Sequence, residues 1–436
     1  MASRRAVLGI LGASTVAATG AVAAGATWSA AKDDAPAMGA VPKGLRPGGE
    51  LDRLVTDEAA KDAFSGSLLV THRGRTVLAR SCGWADKARS VPNGPDTLFG
   101  LASVAKLFTA VSVAQLAQHG KLRYDDKLGA HLQGFPADIA DQVTIHHLLT
   151  HTSGLGDHHG MPGFWETART WTSETQVFEG IGGFIRKQTL AFPPGAGSGY
   201  SNSAYHLLDE IVARASGQPF HDYLRQHVFR ATGMAGTDYY TLPQMREDRR
   251  IAHSYWRPPG SADRVESLDE QIFVPGAFST CAEMERFARA LSEEKLLNRA
   301  YTRLMLSGKT PMPPMSAGPP GGPAGAQAPQ PGGPTGAQAP QPGGPTGAQA
   351  PQPGAQAGAQ APPPGPAPVA FQGYGPTVTI TGDQTWYGHN GGASNGAATE
   401  LAIYPDSGYV TVILSNYEME STRPIVRLTR QLITGG

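Results

Sequence analysis

The chain has 436 residues, room for one large domain or two ordinary ones, and its 36 Lys and Arg balance 36 Asp and Glu to zero formal net charge. That balance provides no basic field for nucleic acid and no acidic tail. With 55 Gly and 36 Pro, much of the chain builds no core, and the two cysteines, Cys82 and Cys281, stand far apart in sequence; a pairing between them stays open, but they read rather as separate buried thiols.

The amino terminus reads Met1-Ala-Ser3-Arg4-Arg5, and positions 6 to 31 then carry no charge. A twin arginine before a stretch rich in Ala, Gly, Thr and Ser reads as a Tat export signal. Ala-x-Ala cleavage sites stand at Ala21–Ala23, Ala24–Ala26 and Ala35–Ala37. The run is long enough to span a bilayer, but its small residues make a poor anchor. Residues 1–37 are therefore expected to be a leader, and the protein to be secreted or extracytoplasmic with no stable membrane span.

Residues 38–436 read as one α/β (α+β) domain. Ser67–His72 and Thr76–Arg80 are apolar runs joined at Arg73-Gly74-Arg75, the pattern of a hairpin. Helical patterning fills the middle, from Ser103 to about Leu304. It includes an apolar helix over 101–119, ended by Gly120, and another over Ser201–Arg214. From residue 310 to 368 the composition changes to Pro, Gly, Ala and Gln. A block of period 11 starts at Gly321, Gly332 and Gly343, with nothing to bury, so a disordered insertion is expected there. It ends just before the next strand pattern, which places it near any cleft built there. Strands then return at Thr385–His389, Glu400–Tyr404 and Tyr409–Leu414, the last two joined across Pro405–Gly408, and a final helix follows Pro424. The order predicts an antiparallel sheet of about five strands, shared by both chain ends and flanked by helices, with a largely helical insertion between them.

Chemistry-bearing patterns compete. Gly392-Ala-Ser394-Asn-Gly396 matches a nucleophile elbow, but that mechanism needs a helix after the serine and a later histidine. His389 is the last histidine in the chain, so an α/β-hydrolase is rejected. His146, His147, His151, Asp157, His158 and His159 fall within fourteen residues and could ligate a metal, yet no His-Glu-x-x-His motif supplies a further ligand. No metal or other cofactor is expected, and the cluster reads as the polar rim of a cleft.

Ser103-Val-Ala-Lys106 puts a hydroxyl and an amine on one face of a helix, so that the amine can take the proton from an otherwise weak nucleophile. The same spacing recurs at Ser29–Lys32, inside the leader, and at Ser292–Lys295, which reads as a polar helix end. Two companions single out Ser103. Tyr200-Ser-Asn202 follows the turn-rich Phe192–Gly199 and opens a helix, presenting a phenol at a loop edge. His389-Asn-Gly391-Gly392 puts a histidine on a strand whose glycines let substrate lie against the backbone, where N–H groups can stabilise an oxyanion.

Ser103-x-x-Lys106, Tyr200-x-Asn202 and His389-x-Gly391 together resemble the serine β-lactamase and penicillin-binding-protein superfamily. The similarity is to its class C-like branch of D,D-carboxypeptidases, D-aminopeptidases and esterases. Thr144–Leu155, Gly276–Thr280 and Tyr404–Gly408 add matching phrases, and the resemblance covers about residues 50 to 430 outside the insertion. It implies that Ser103 forms an acyl-enzyme while Lys106 and Tyr200 manage the proton. Asn202 orients substrate or lysine, and the N–H groups of Ser103 and Gly392 hold the oxyanion. His389 stands where β-lactamases carry the lysine of Lys-Thr-Gly. A mostly neutral imidazole there turns the expectation away from β-lactam hydrolysis and toward D-amino-acid peptides or small esters, cell-wall peptide among them. A true β-lactamase and a catalytically weak penicillin-binding sensor are the alternatives, and a monomer is expected.

Overall fold

The computed structural model describes residues 41–267, 276–312, 368–393 and 396–435. The leader, the period-11 repeats and Ser394-Asn395 lie outside the described residues. Eight strands form one antiparallel sheet: β1 (Gly66–His72), β2 (Arg75–Cys82), β3 (Thr310–Pro311), β4 (Val369–Gln372), β5 (Thr377–Thr381), β6 (Gln384–Ala393), β7 (Ala397–Tyr404) and β8 (Tyr409–Ser415). Their order is β3-β4-β5-β6-β7-β8-β1-β2, so β8 sits beside β1 and both ends of the chain share the sheet. Six helices frame the core and the site: α1 (Glu50–Ala60), α2 (Lys106–Gln118), α3 (Ile145–Leu149), α4 (Asn202–Ser216), α5 (Cys281–Ser292) and α6 (Arg423–Thr434).

Side chains alternate across a strand, and this assigns each face of the sheet to one helical layer. Leu68, Val70 and Ile413 pack with Leu51 and Val55 of α1 and Ile425 of α6. Leu69, Val412 and Leu414 point the other way, into the core formed by Leu107 and Phe108 of α2 and Phe287 of α5. Every residue of α2 from Leu107 to Ala117 is buried, the signature of a helix threaded through a core rather than laid on it. Each large apolar side chain hidden there is worth about 1.5–3 kcal/mol before entropy is charged against it. The helix stops at Gly120, whose φ of 66° is the left-handed closing turn that glycine adopts without strain.

Two expectations need correction. The sheet has eight strands, not about five. β3, β4 and β5 are short and flanked by Gly373, Gly375 and Pro376, which read as loop, and β6 runs to Ala393. Ser103 does not lie in an α-helix: it sits in a 3₁₀ turn over Ala102–Ala105 that precedes α2. That turn is entered through Ala102 at φ 45°, a left-handed conformation that alanine rarely adopts, so surrounding contacts impose it. The insertion's described ends lie in and beside β3 and β4, and residues 313–367 between them lie outside the described residues. Met312 donates its N–H to Ala370, and Val369 pairs with Ile380, which pairs with Thr385. Thr385 precedes His389 by four residues, about 13 Å along a strand.

The Gly392–Gly396 segment joins β6 to β7, with Ala393 paired to Ala397. β6 is thus followed by a strand rather than by the helix that a nucleophile elbow needs. Ser292 closes α5 with its hydroxyl donating to the Ala288 carbonyl at 2.9 Å, a helix end as expected. Cys82 and Cys281 are both free thiols, and burial raises both above the ordinary thiol value.

Candidate active site

Three chain segments that lie about 100 to 290 residues apart meet at the start of α2. Phe99-Gly100 pairs with Gly276–Ser279 in a small second sheet, and Leu101 donates its N–H to Ala277 at 2.8 Å, which fixes the turn carrying Ser103. Behind it stands β6. A Cβ added to Gly391 would lie 2.7 Å from the Ser103 nitrogen and 2.8 Å from the Leu101 oxygen. Only a residue without a side chain lets strand and turn approach so closely. Thr399 of β7 ties the same place down, donating to the Leu101 carbonyl at 2.9 Å.

Ser103 Oγ accepts from Tyr200 Oη at 2.5 Å and from Lys106 Nζ at 3.2 Å. Lys106 also donates to Asn202 Oδ1 at 2.7 Å, and its ammonium lies 5.0 Å from the Tyr200 ring and 5.6 Å from that of Tyr205. The lysine is thus half-buried among a hydroxyl, an amide and two aromatic faces, not in the wholly apolar setting its helix suggested. Tyr200 and Asn202 flank Ser201, whose hydroxyl caps α4 by accepting the Ala204 N–H at 3.0 Å. The cap explains their spacing: it turns the chain sharply, so the phenol before it and the amide after it both reach Ser103-Lys106.

β5 accompanies β6 only as far as Gly388, so among the described residues His389–Ala393 have one edge without a strand partner. His389 is half-buried on this edge, with Nδ1 against the Asn390 carbonyl at 2.5 Å, the nitrogen that therefore carries the proton. Desolvation and the nearby Lys106 ammonium push its pKa down to about 4. All seven residues expected at the site, Ser103, Lys106, Tyr200, Asn202, His389, Gly391 and Gly392, fall on these three segments.

The histidine-rich stretch divides by task. Thr144 and His147 cap α3 reciprocally, each side chain bonded to the other's backbone N–H at 3.2 Å. His146 Nδ1 meets Tyr374 Oη at 2.9 Å. Neither joins the site. Asp157, His158 and His159 place ligand atoms within 4.8 Å of one another, but each is engaged within the protein. Buried His158 meets the Ser203 hydroxyl at 3.2 Å, and burial lowers its pKa to about 3. His159 Nδ1 meets Asp157 Oδ1 at 2.8 Å.

Asp157 Oδ2 accepts the Asn202 amide N–H at 2.6 Å, and this residue was not foreseen at the site. Burial opposes its charge, but the His159 backbone and ring hold its carboxyl well below the usual carboxylate range. The carboxylate decides which way the Asn202 amide faces. Its NH₂ is held by Asp157, so its oxygen is left for Lys106. Nothing local in the sequence signals a partner 45 residues away.

The family model described as Beta-lactamase matches residues 51–434. Penicillin-binding protein 4* of Bacillus subtilis (strain 168) is 31% identical over 265 residues, 57% of this chain and 57% of that protein. Esterase EstB of Burkholderia gladioli is 31% identical over 242 residues, 48% of this chain and 59% of the esterase. The chain spans less than two thirds of the length of either relative. A penicillin-binding protein from Bacillus halodurans has a similar structure, with a TM-score of 0.66 and 23% identity, covering 87% of this chain and 99% of the other. A match running from the first helix of the fold to the last settles membership: the chain belongs to the Beta-lactamase family.

Proposed function

We propose that the protein is an exported serine hydrolase that works through an acyl-enzyme on esters or amides, with D-amino-acid peptides, peptidoglycan-type peptides and small esters as its substrate class. The observation that carries the reading is the double approach to Ser103 Oγ, by Tyr200 at 2.5 Å and Lys106 at 3.2 Å, beside the open edge of β6. In the reactive form Tyr200 is the phenolate, its charge balanced by the Lys106 ammonium, and Ser103 Oγ attacks the substrate carbonyl carbon as its proton passes to that oxygen across the same contact. The carbonyl oxygen becomes an oxyanion held by the N–H groups of Ser103 and Gly392. When the bond to the leaving amine or alcohol breaks, the proton moves to that group. Water then repeats the sequence on the acyl-enzyme, losing its proton to Tyr200 and returning Ser103. Preorganised donors at the oxyanion are the costly element to lose, about 100-fold or more in rate for one of them.

His389 supports the choice of substrate. With its pKa near 4 it is neutral at pH 7, so the edge of β6 offers a drug carboxylate no fixed cation there. The similarity to proteins named as an esterase and a penicillin-binding protein agrees with acyl transfer. Export rests on Arg4-Arg5 and the uncharged run after them. A fluorophosphonate probe, p-nitrophenyl esters, D-alanyl-D-alanine peptides, D-aminoacyl anilides and a cephalosporin reporter test the reading side by side. The probe should label wild type and not Ser103→Ala, and the best ester or D-amide should be turned over about 100-fold faster than the cephalosporin. Label retained in Ser103→Ala overturns the mechanism. A cephalosporin rate equal to the best ester overturns the substrate class.

A further inference from the structure

We infer that His151 is a positioning residue for Tyr200: it grips the chain on both sides of the tyrosine and so sets the phenol on Ser103. Its carbonyl accepts the Gly199 N–H at 2.9 Å, and its Nδ1 accepts the Ser201 N–H at 3.2 Å. The residues before and after Tyr200 are therefore both bonded to one residue. The ring of His151 packs on the Tyr200 ring at 4.6 Å and on the Tyr205 ring at 5.0 Å. Two more bonds extend the clamp along the same loop, from Gly195 N–H to the Thr152 carbonyl and from Ala191 N–H to the Gly154 carbonyl, each at 2.8 Å.

Two features show that the imidazole is there for its acceptor rather than its bulk. Nδ1 takes a hydrogen bond, so Nε2 carries the ring proton, and that buried N–H has no partner among the described residues. A phenyl ring would fill the same space without burying an unpaired donor, an arrangement that costs stability. The backbone agrees. His151 sits at φ 56°, a left-handed conformation that few side chains tolerate. That conformation lets its carbonyl and its ring face the same loop, so strain is accepted where both contacts are gained. A phenol 2.5 Å from a serine oxygen is sensitive to displacement, and a shift of about 1 Å costs roughly 100-fold in rate.

The inference rests on Tyr200 serving Ser103, which Tyr200→Phe tests by itself. His151→Phe keeps a ring and removes the acceptor. His151→Asn puts an amide oxygen close to the place of Nδ1, on a residue at ease with positive φ. His151→Gln places its oxygen too far out. Ester kcat and KM, the rate of fluorophosphonate labelling and the melting temperature are measured for each. Expected are a loss of roughly 100-fold in kcat for the Phe and Gln variants, with KM within about 3-fold, and recovery to within about 10-fold for Asn. In a Tyr200→Phe background, His151→Phe should change kcat less than about 3-fold, because the residue it positions is no longer functional. The proposal is overturned by a Phe variant within 3-fold of wild type. It is equally overturned by a full loss that persists in the Tyr200→Phe background, or by an Asn variant as slow as Phe at an unchanged melting temperature. Where the Phe variant fails to fold, the Asn and Gln pair carries the same comparison. A Tyr200→Phe enzyme at wild-type rate refutes the catalytic assignment instead, separately from His151.

Discussion

Gly391 and Gly392 are neighbours in one motif, and the structure separates them. At Gly391 an added Cβ meets the Ser103 nitrogen at 2.7 Å, the Leu101 oxygen at 2.8 Å and the Thr399 hydroxyl at 2.6 Å. Comfortable contact lies near 3.5 Å, so strand and turn must part by roughly 0.7 Å or more. Both sides resist, since Leu101 is tied to Ala277 through its N–H and to Thr399 through its carbonyl. The displacement falls on Ser103 itself, so Gly391→Ala should lower kcat/KM by about 100-fold and destabilise the fold by about 1–3 kcal/mol, the usual penalty of overpacking. At Gly392 the same methyl meets Met419 Cγ and Sδ, and the Ala397 oxygen only at 3.4 Å. A methionine can rotate aside, and the Gly392 N–H survives the substitution, so a loss of no more than about 10-fold is expected from a clash that spares the serine. A p-nitrophenyl ester assay beside thermal melting reads both effects. Gly391→Ala within 3-fold of wild type, or Gly392→Ala as slow as Gly391→Ala, would refute the reasoning.

Charge sets two further outcomes. Asp157→Ala releases the Asn202 amide and, with it, the oxygen that Lys106 donates to. A hydrogen bond to a charged group is worth about 1.5–3 kcal/mol, so kcat should fall roughly 10- to 100-fold with KM little changed, Asp157→Asn lying between; unaltered kcat in the Ala variant defeats this role. His151, His158 and His389 are each held below the ordinary histidine value of 6.5, foremost by burial, His158 to about 3 and His389 to about 4. The unfolded chain therefore takes up their protons first, and stability that is whole above about pH 6.5 is lost as pH falls toward 4. Each fully buried histidine adds a slope of about 1.4 kcal/mol per pH unit in that window, and half-exposed His389 less. A melting temperature that stays level from pH 7 to 4.5 would count against it.

What was legible in the sequence is what chemistry constrains locally. A serine and a lysine on one turn, a phenol two residues before an amide, and a histidine before two glycines each carry their purpose within four residues, and the fold joins them. His151 and Asp157 stood in plain view inside the histidine-rich stretch, yet their purpose lies in partners about 50 and 45 residues downstream. As letters they resembled metal ligands more than clamps. The same limit hid the turn at Ala102. Alanine does not announce a left-handed backbone, so one apolar run read as one helix. The turn arises from Ala277, Thr399 and Gly391, residues 175 to 297 positions later that hold it from two sheets. Short strands β3 to β5 escaped notice for a related reason: two to five residues among Pro and Gly carry almost no periodic signal, and it is successive pairing outward from β6, β5 on β6, β4 on β5 and β3 on β4, that makes them strands. The atoms of the proposed site are thus written in the motifs, while their placement is written in residues that only the folded chain brings beside them.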